Sequence, residues 1–270
     1  MAKRVGIIGC GTIGSQLALA VDSGQVKNAT LVSLFDVVKG NAQGLSSKLK
    51  SAPKAFDDFA KFMSQACDIV VEAASQDAAR KFAKPVLESG HDLLIMSVGA
   101  LADKELLAEL QSSKGRIYIP TGAIAGVDAI RAARHLLDAV TLTTTKAPKA
   151  LAGAPFFETS AIKLDEIKES TIIYEGPAAD AVKKFPANVN VAAVLSLAGI
   201  GFDKTKVRIV ADPVFTTNQH EIMATGSFGK FQFTVNNVPS PGNPKTSYLA
   251  VLSAIECLRS VCDGGMRIGS

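Results

Sequence analysis

The sequence predicts an α/β protein with two domains: an N-terminal domain built on a parallel sheet, and a second α+β domain with an open mixed or antiparallel sheet. Short apolar runs alternate with amphipathic stretches from residue 4 to residue 119, which is typical of a parallel sheet with helices on both faces. A G-x-G-x-x-G turn, Gly9 to Gly14, joins the first apolar run to the first helical stretch. After Gly122, strand-like runs follow one another without intervening helices, which favours a mixed or antiparallel sheet.

The element order follows from the same periodicities. In the first part, strands are predicted at residues 4–8, 30–35, 69–73, 92–96 and 116–119, and helices at 13–23, 40–49, 56–64, 77–89 and 103–112. In the second part, helices are predicted at 126–137 and 189–197, and strands at 140–146, 207–211, 218–225 and 230–236. A final helix at 246–262 carries an apolar stripe of Leu249, Leu252, Ile255, Leu258 and Cys262.

These elements suggest where the chain divides. We assign residues 1–122 to a dinucleotide-binding domain that is completed by the helix at 246–262, which we expect to pack on it. Residues 123–245 are assigned to a substrate-binding and oligomerisation domain. Its strand at 230–236 alternates apolar and polar residues, which predicts a sheet with one covered face. The other face is a candidate surface for self-association into a homodimer or higher homo-oligomer.

The glycine turn has the spacing and the context of the dinucleotide-binding fingerprint of Rossmann-type sheets. Gly9 permits the tight turn, Gly11 lets a pyrophosphate approach the backbone, and Gly14 allows the helix to pack on the sheet. The N–H groups at the start of the helix, at Thr12 and Ile13, suit the phosphates. The alternative is a glycine-rich turn that binds nothing.

Asp36 ends the second apolar run, at the position where a carboxylate accepts hydrogen bonds from both ribose hydroxyls. The same carboxylate would repel a 2′-phosphate, so the sequence predicts NAD as the cofactor. Lys39 lies close by and weakens that preference, which leaves NADP as an alternative.

The bulk composition is that of an ordinary globular protein. The 270 residues are 47% hydrophobic and 20% charged, with a net charge of +4. There is no Lys/Arg block, no signal-peptide pattern and no apolar run of membrane-spanning length, so we expect a cytoplasmic protein without nucleic-acid or membrane partners. The four cysteines form no C-x-x-C pair and the three histidines show no ligand spacing, so no metal is predicted.

Two more turns of the parallel sheet are candidate cofactor contacts, because ligands bind at the carboxyl ends of such strands. Ala73 and Ala74 end one strand, and Ser97, Val98 and Gly99 follow the next. Either turn would pass the ribose or the nicotinamide. The alternative for each is an ordinary βα turn.

Small residues also make up the connection at 120–126, where the backbone at Ala123 can approach a planar carboxamide. The same stretch reads equally as an interdomain hinge. Asn188 and Asn190 precede an apolar helix. Either one caps this helix, or one amide faces the cofactor or a substrate carboxylate.

His220 is the candidate for proton transfer, since an imidazole ordinarily titrates near neutral pH and this one shares a strand face with Asn218. A purely structural histidine is the alternative. Lys245, with the N–H groups of Thr246 and Ser247 at the predicted helix start, would suit a substrate carboxylate. The alternative there is simple helix capping.

Together these segments resemble the L-aspartate dehydrogenase family, and the match covers most of the chain. It rests on the glycine turn and on S-V-G-A-L at 97–101, T-G-A-I-A-G at 121–126, F-P-A-N-V-N at 185–190, N-x-H-x-I at 218–222 and P-S-x-x-N-P-K-T-S at 239–247. The fold also resembles dihydrodipicolinate reductase, whose double-histidine signature is absent here.

The resemblance implies NAD(P)-dependent oxidative deamination of L-aspartate to iminoaspartate, then hydrolysis to oxaloacetate and ammonia, with reductive amination as the reverse. It implies that His220 is catalytic, that Ala123 and Asn190 contact the cofactor, with Asn188 as the alternative amide, and that iminoaspartate feeds pyridine nucleotide biosynthesis. Two alternatives stay open: a reductase or dehydrogenase of another small carboxylic acid, and a non-catalytic NAD-binding sensor.

Overall fold

The structure, a computed structural model, describes residues 1–186, 190–241 and 243–263, without the side chains of residues 243–245. The chain forms two compact units. The first contains Met1–Pro120 and residues 251–263, and the second contains Thr121–Ala250. Within the described ranges, no helix is both long enough and apolar enough to cross a bilayer.

A six-stranded parallel sheet forms the first unit, with the strand order β3-β2-β1-β4-β5-β6. The strands are β1 (Lys3–Ile8), β2 (Ala29–Phe35), β3 (Lys54–Phe56), β4 (Ile69–Glu72), β5 (Asp92–Ile95) and β6 (Ile117–Tyr118). The connecting helices are α1 (Thr12–Asp22), α2 (Asn41–Ser46), α3 (Phe59–Met63), α4 (Gln76–Glu88) and α5 (Lys104–Gln111). The predicted Rossmann-type sheet is confirmed.

The central strands are buried on both faces, as a parallel sheet covered by helices requires. Ile7, Val71 and Leu94 are each completely buried. At the edge of the core, the ring of Phe35 packs against those of Phe59 and Phe82, with centroids 5.6 and 5.3 Å away in edge-to-face geometry. This cluster fixes the end of β2, directly before Asp36.

The second unit holds a five-stranded mixed sheet with the order β11-β10-β7-β9-β8, in which only the β7–β9 pairing is parallel among the described strands. Its strands are β7 (Leu137–Lys146), β8 (Thr171–Pro177), β9 (Lys206–Ala211), β10 (Asn218–Gly226) and β11 (Gly229–Asn237). Its helices are α6 (Val127–Ala133), α7 (Phe156–Thr159), α8 (Ala178–Lys184) and α9 (Asn190–Ala198). This arrangement confirms the predicted second sheet.

A two-stranded ribbon, β12 (Pro239–Ser240) and β13 (Asn243–Ser247), leads into α10 (Tyr248–Cys262). The predicted stripe on this last helix is only half correct. Leu249 and Leu252 are 36% and 40% exposed, whereas Val251 and Ala254 are buried with the later members of the stripe. Both sets repeat at three and four residues, so helical spacing alone did not decide which face is covered.

The predicted helix at 56–64 also differs from the structure. Its first residue belongs to β3, a three-residue strand, and the helix begins only at Phe59. Asp58 caps this helix, since its side chain accepts a hydrogen bond from the N–H of Lys61. So short a strand carries no periodicity, and only its pairing with β2 identifies it.

Candidate active site

The glycine turn in the first unit has a steric reason for each glycine. Gly9 has φ of +92°, and a Cβ there would lie 2.7 Å from the Cβ of Ala74 and 2.8 Å from the carbonyl of Ala73. A Cβ at Gly14 would collide with the carbonyl oxygen of Gly9. A Cβ at Gly11 would meet open space, so the backbone of Gly11 faces a region that a ligand can enter. The turn therefore fits a pyrophosphate approaching the start of α1.

Asp36 is held against this turn. Its Oδ2 accepts a hydrogen bond of 2.8 Å from the N–H of Cys10, and its Oδ1 accepts one of 2.8 Å from the N–H of Val38. The side chain is largely buried, yet it lines a pocket of about 300 Å³ together with Lys39 and Asp57. Each carboxylate oxygen keeps a second lone pair, which fits the two hydroxyls of an adenosine ribose.

Cys10, in the same turn, is not an activated thiol. Burial and the neighbouring carboxylate of Asp36 raise its pKa to about 12. In the described part of the chain, no group of three or more His, Cys, Asp or Glu residues could hold a metal ion.

The two other turns at this edge of the sheet share one organising side chain, Glu72, which the sequence analysis passed over. Its Oε1 accepts hydrogen bonds from the N–H of Ala74, the N–H of Ser75 and the hydroxyl of Ser97. Its Oε2 accepts one from the N–H of Ser97. Glu72 is completely buried, and burial raises its pKa while these four hydrogen bonds oppose the rise.

The structure therefore brings together several of the candidate cofactor residues. Ala73 and Ala74 lie against Gly9, and Glu72 links their turn to Ser97. Val98 and Gly99 open a short 3-10 helix after β5 and are buried. Thr12 and Ile13 form the first turn of α1, whose cap residue, Gly11, provides no side-chain cap.

His220 lies in the second unit, on the covered face of β10. It is 3% exposed, and its Nδ1 is 3.0 Å from Oγ1 of Thr144 on β7. Burial, followed by the charge of Lys146, lowers the pKa of His220 to about 3. The imidazole is therefore neutral throughout the physiological pH range, which differs from the near-neutral titration expected from its ordinary pKa.

The covered face of this sheet changes character along its length. At one end it is apolar, with Val140 and Leu142 on β7 and Ile222 and Ala224 on β10. At the other end it is polar, and we call this the polar patch. The polar patch consists of Thr144, Lys146, Asn218, His220 and Asn237, all less than 9% exposed.

Three members of the polar patch, Thr144, Lys146 and Asn237, are not among the residues singled out from the sequence. Lys146 is 6% exposed, and burial lowers its pKa to about 8, so it is mostly charged at neutral pH. The strand at 140–146 was predicted, and its alternation already places Lys146 on the same face as Leu142 and Thr144. That alternation could have identified Lys146 as a residue of the site. Asn237, which pairs with Asn218 across β10 and β11, gave no local signal.

Asn237 connects the polar patch to Ala123. Its Nδ2 donates a 3.0 Å hydrogen bond to the carbonyl of Ala123, and both residues are buried. Its Oδ1 is buried and has no hydrogen-bond partner among the described residues. A buried acceptor of this kind suits a donor group on a bound ligand.

The remaining candidates are less informative. Asn190 is exposed at the first turn of α9, and Asn188 lies outside the described residues. Lys245 belongs to β13, but its side chain is not described. Thr246 and Ser247 also lie in β13, so the expected role of their N–H groups as a helix start is wrong: α10 begins at Tyr248.

Comparisons with known proteins agree with both halves of this description. Residues 128–261 match the family model for the C-terminal part of aspartate dehydrogenase, and residues 9–120 match the model for the NAD binding domain of homoserine dehydrogenase. The first unit is therefore an NAD-binding domain.

Relatives match over the whole chain. An L-aspartate dehydrogenase of Nitrosopumilus maritimus is 49% identical, covering 99% of this chain and all of its own. One of Methanocaldococcus jannaschii is 40% identical, covering 96% of this chain and 97% of its own. The crystal structure of aspartate dehydrogenase from Thermotoga maritima is similar with a TM-score of 0.76 at 28% identity, covering 99% of this chain and 100% of its own.

Proposed function

This chain belongs to the L-aspartate dehydrogenase family, and on that premise we propose that it oxidises L-aspartate with NAD to iminoaspartate, which hydrolyses to oxaloacetate and ammonia. The reverse reaction is reductive amination. The observation that carries the proposal is the match of relatives with this name over almost the entire chain. The polar patch around His220 supports the proposal, because it contains a buried imidazole, a hydroxyl, two amides and an ammonium.

NAD is the cofactor that the first unit suits best. Asp36 and Asp57 place two carboxylates around the pocket at the end of β2, against one ammonium from Lys39. A 2′-phosphate would meet net negative charge there, whereas a ribose 2′-hydroxyl would donate to Asp36. We therefore propose that NADP binds more weakly than NAD.

Bound NAD supplies the hydride acceptor, and hydride transfer requires its nicotinamide and the Cα of aspartate in near-attack geometry. The substrate amine must first lose a proton, because only a neutral amine becomes an imine. His220 is the group we propose as the acceptor. In the tautomer whose Nδ1–H donates to Oγ1 of Thr144, the lone pair of Nε2 is available to the amine.

The low pKa of His220 is compatible with this role. It describes the substrate-free protein, in which the imidazole is buried beside the charge of Lys146. A bound dicarboxylate brings negative charge into the same low-dielectric patch and raises the pKa. The histidine thus begins in the base form and becomes a better base when the substrate is present. Once the proton taken from the amine has been released to solvent, the same nitrogen can activate the water that attacks the imine.

The test is spectrophotometric: L-aspartate and NAD should generate NADH. His220→Ala should lower kcat by about 10²–10⁴-fold, the usual contribution of acid–base catalysis, with NADH affinity unchanged in a fluorescence titration. His135→Ala, at an exposed histidine of the same unit, is the matched control and should behave as wild type. Full activity of His220→Ala would reject its role, and turnover of another small amino or oxo acid in preference to aspartate would reject the substrate.

We further propose that the protein is a cytoplasmic homo-oligomer. Self-association is supported by the second sheet, in which β11 lies at the edge and its outward residues Gln232, Thr234 and Asn236 are exposed. Light scattering coupled to size-exclusion chromatography measures the assembly, and a monomer at all concentrations would contradict it.

A further inference from the structure

Lys146 stands out in the second unit because its ammonium is removed from most of the surrounding water on the covered face of a sheet. Lys146 is 6% exposed, at the last position of β7. In the register of the sheet, Thr144 pairs with His220 and Thr145 with Gln219. Lys146 is therefore level with Asn218, one alternate position beyond the imidazole.

Every other group of the polar patch is neutral. Thr144 offers a hydroxyl, Asn218 and Asn237 offer amides, and His220 is a neutral imidazole. The charge of Lys146 reaches His220, whose pKa it lowers. Within the polar patch, the ammonium of Lys146 therefore lies near the proposed base, in surroundings that water screens weakly.

We propose that the ammonium of Lys146 binds a carboxylate of the substrate and so holds the substrate amine near His220. The inference rests on the proposed function, since L-aspartate is a dicarboxylate. Burial strengthens the pairing, because a desolvated ammonium gains more from an anion than an exposed one does. The lowered pKa of Lys146, about 8, still leaves the side chain mostly charged at neutral pH.

Other described lysines of this unit do not share these properties. Lys149, three residues further along, is exposed, as are Lys168 and Lys204. In the sequence, Lys245 is the candidate for this task because it directly precedes the predicted helix start. Lys146 differs because β7 places it on the same covered face as His220.

The experiment compares Lys146→Met, which keeps the length of the side chain and removes its charge, with Lys146→Arg and with the exposed control Lys204→Met. Calorimetry measures the binding of succinate, a dicarboxylate that cannot react, to enzyme saturated with NADH. Steady-state kinetics gives KM and kcat for L-aspartate, and fluorescence titration gives the Kd of NADH.

We expect Lys146→Met to weaken succinate binding and raise the KM for aspartate at least about 10-fold, as the loss of a charge-assisted hydrogen bond implies, while the Kd of NADH stays at the wild-type value. Lys146→Arg should recover part of the succinate affinity, which a merely structural role would not produce. Lys204→Met should match wild type in all three measurements.

The outcomes separate this proposal from the proposed function. Aspartate oxidation with unchanged KM and succinate affinity in Lys146→Met would overturn the role of Lys146 and leave the function standing. Wild-type protein that binds succinate without oxidising aspartate would overturn the function, while the Lys146 variants would still test the carboxylate site. If Lys146→Met fails to fold, Lys146→Arg decides. An Arg variant that binds NADH with the wild-type Kd but no longer binds succinate would count against the proposal.

Discussion

Replacing Thr144 by valine isolates the hydrogen bond that orients His220. Valine has nearly the shape of threonine, so the substitution removes the hydroxyl and leaves the packing of β7 in place. Thr144 and His220 are 2% and 3% exposed, and Oγ1 is 3.0 Å from Nδ1. Water cannot easily replace the lost partner at such a depth, and Nδ1 is left without one.

The magnitude follows from that burial. A buried polar group that loses its partner costs about 1–3 kcal/mol, and the added methyl group of valine returns up to about 0.8 kcal/mol. We therefore expect Thr144→Val to lower the free energy of unfolding by about 1–2 kcal/mol. The tautomer of the imidazole is no longer fixed, so we also expect kcat for aspartate oxidation to fall by about 10-fold, or roughly 1.4 kcal/mol of transition-state stabilisation.

Urea denaturation and steady-state kinetics measure the two effects separately. Thr144→Ser keeps the hydroxyl and loses only a methyl group, so it is the matched control: it should retain kcat while losing some stability. If Thr144→Val kept both the wild-type free energy of unfolding and the wild-type kcat, the hydroxyl would not orient His220. Equal losses of kcat in the valine and serine variants would attribute the effect to packing instead.

Two further substitutions test the first unit. Asp36→Ser should shift the ratio of the Kd values for NAD and NADP towards NADP by about 10-fold or more, because it removes a carboxylate that favours a 2′-hydroxyl over a 2′-phosphate. Titration with both reduced cofactors measures this ratio. An unchanged ratio would contradict the assignment of Asp36 to the ribose. Asp68→Asn should lower the free energy of unfolding at pH 7, because the side chain of Arg4 stabilises the ionised carboxylate and lowers the pKa of Asp68 to about 2. The loss should be about 1 kcal/mol or less, since this ion pair is partly exposed and water screens it. A depressed pKa contributes stability above the ordinary value of 3.8 that is lost as the pH falls through 2, so urea titrations should show the two proteins converging over that interval and not at higher pH.

The parts of the molecule that the sequence predicted are those fixed by local geometry. The turn after β1 requires glycines at set positions because Gly9 has a positive φ and Gly14 touches the carbonyl of Gly9, five residues away in the same turn. Both constraints lie within one short segment, so the spacing of the glycines in the sequence is enough to predict the turn. The same holds for five of the six strands of the parallel sheet, because each of them is an apolar run that can be recognised separately.

The properties of His220 depend on partners far away in the chain. Its hydrogen bond joins residues 76 positions apart, and its pKa is set by burial and by a lysine on another strand. From the sequence alone, a histidine can be assigned only its ordinary pKa, which predicts that it gains and loses its proton near neutral pH. The fold changes that prediction, because the covered face removes water from the imidazole before any substrate is bound.

The polar patch shows which step of inference was missing. The alternation of β7 puts Leu142, Thr144 and Lys146 on one face, and the alternation of β10 does the same for Asn218, His220 and Ile222. Each strand by itself therefore has polar residues at one end of its covered side and an apolar residue next to them. Only the register says that the two polar ends coincide: pairing Thr144 with His220 superimposes them, whereas a slip of one residue would turn one set to the opposite face. Buried polar residues that line up across paired strands are therefore the stronger sign of a site, and they identify Lys146 as readily as the motif identifies His220.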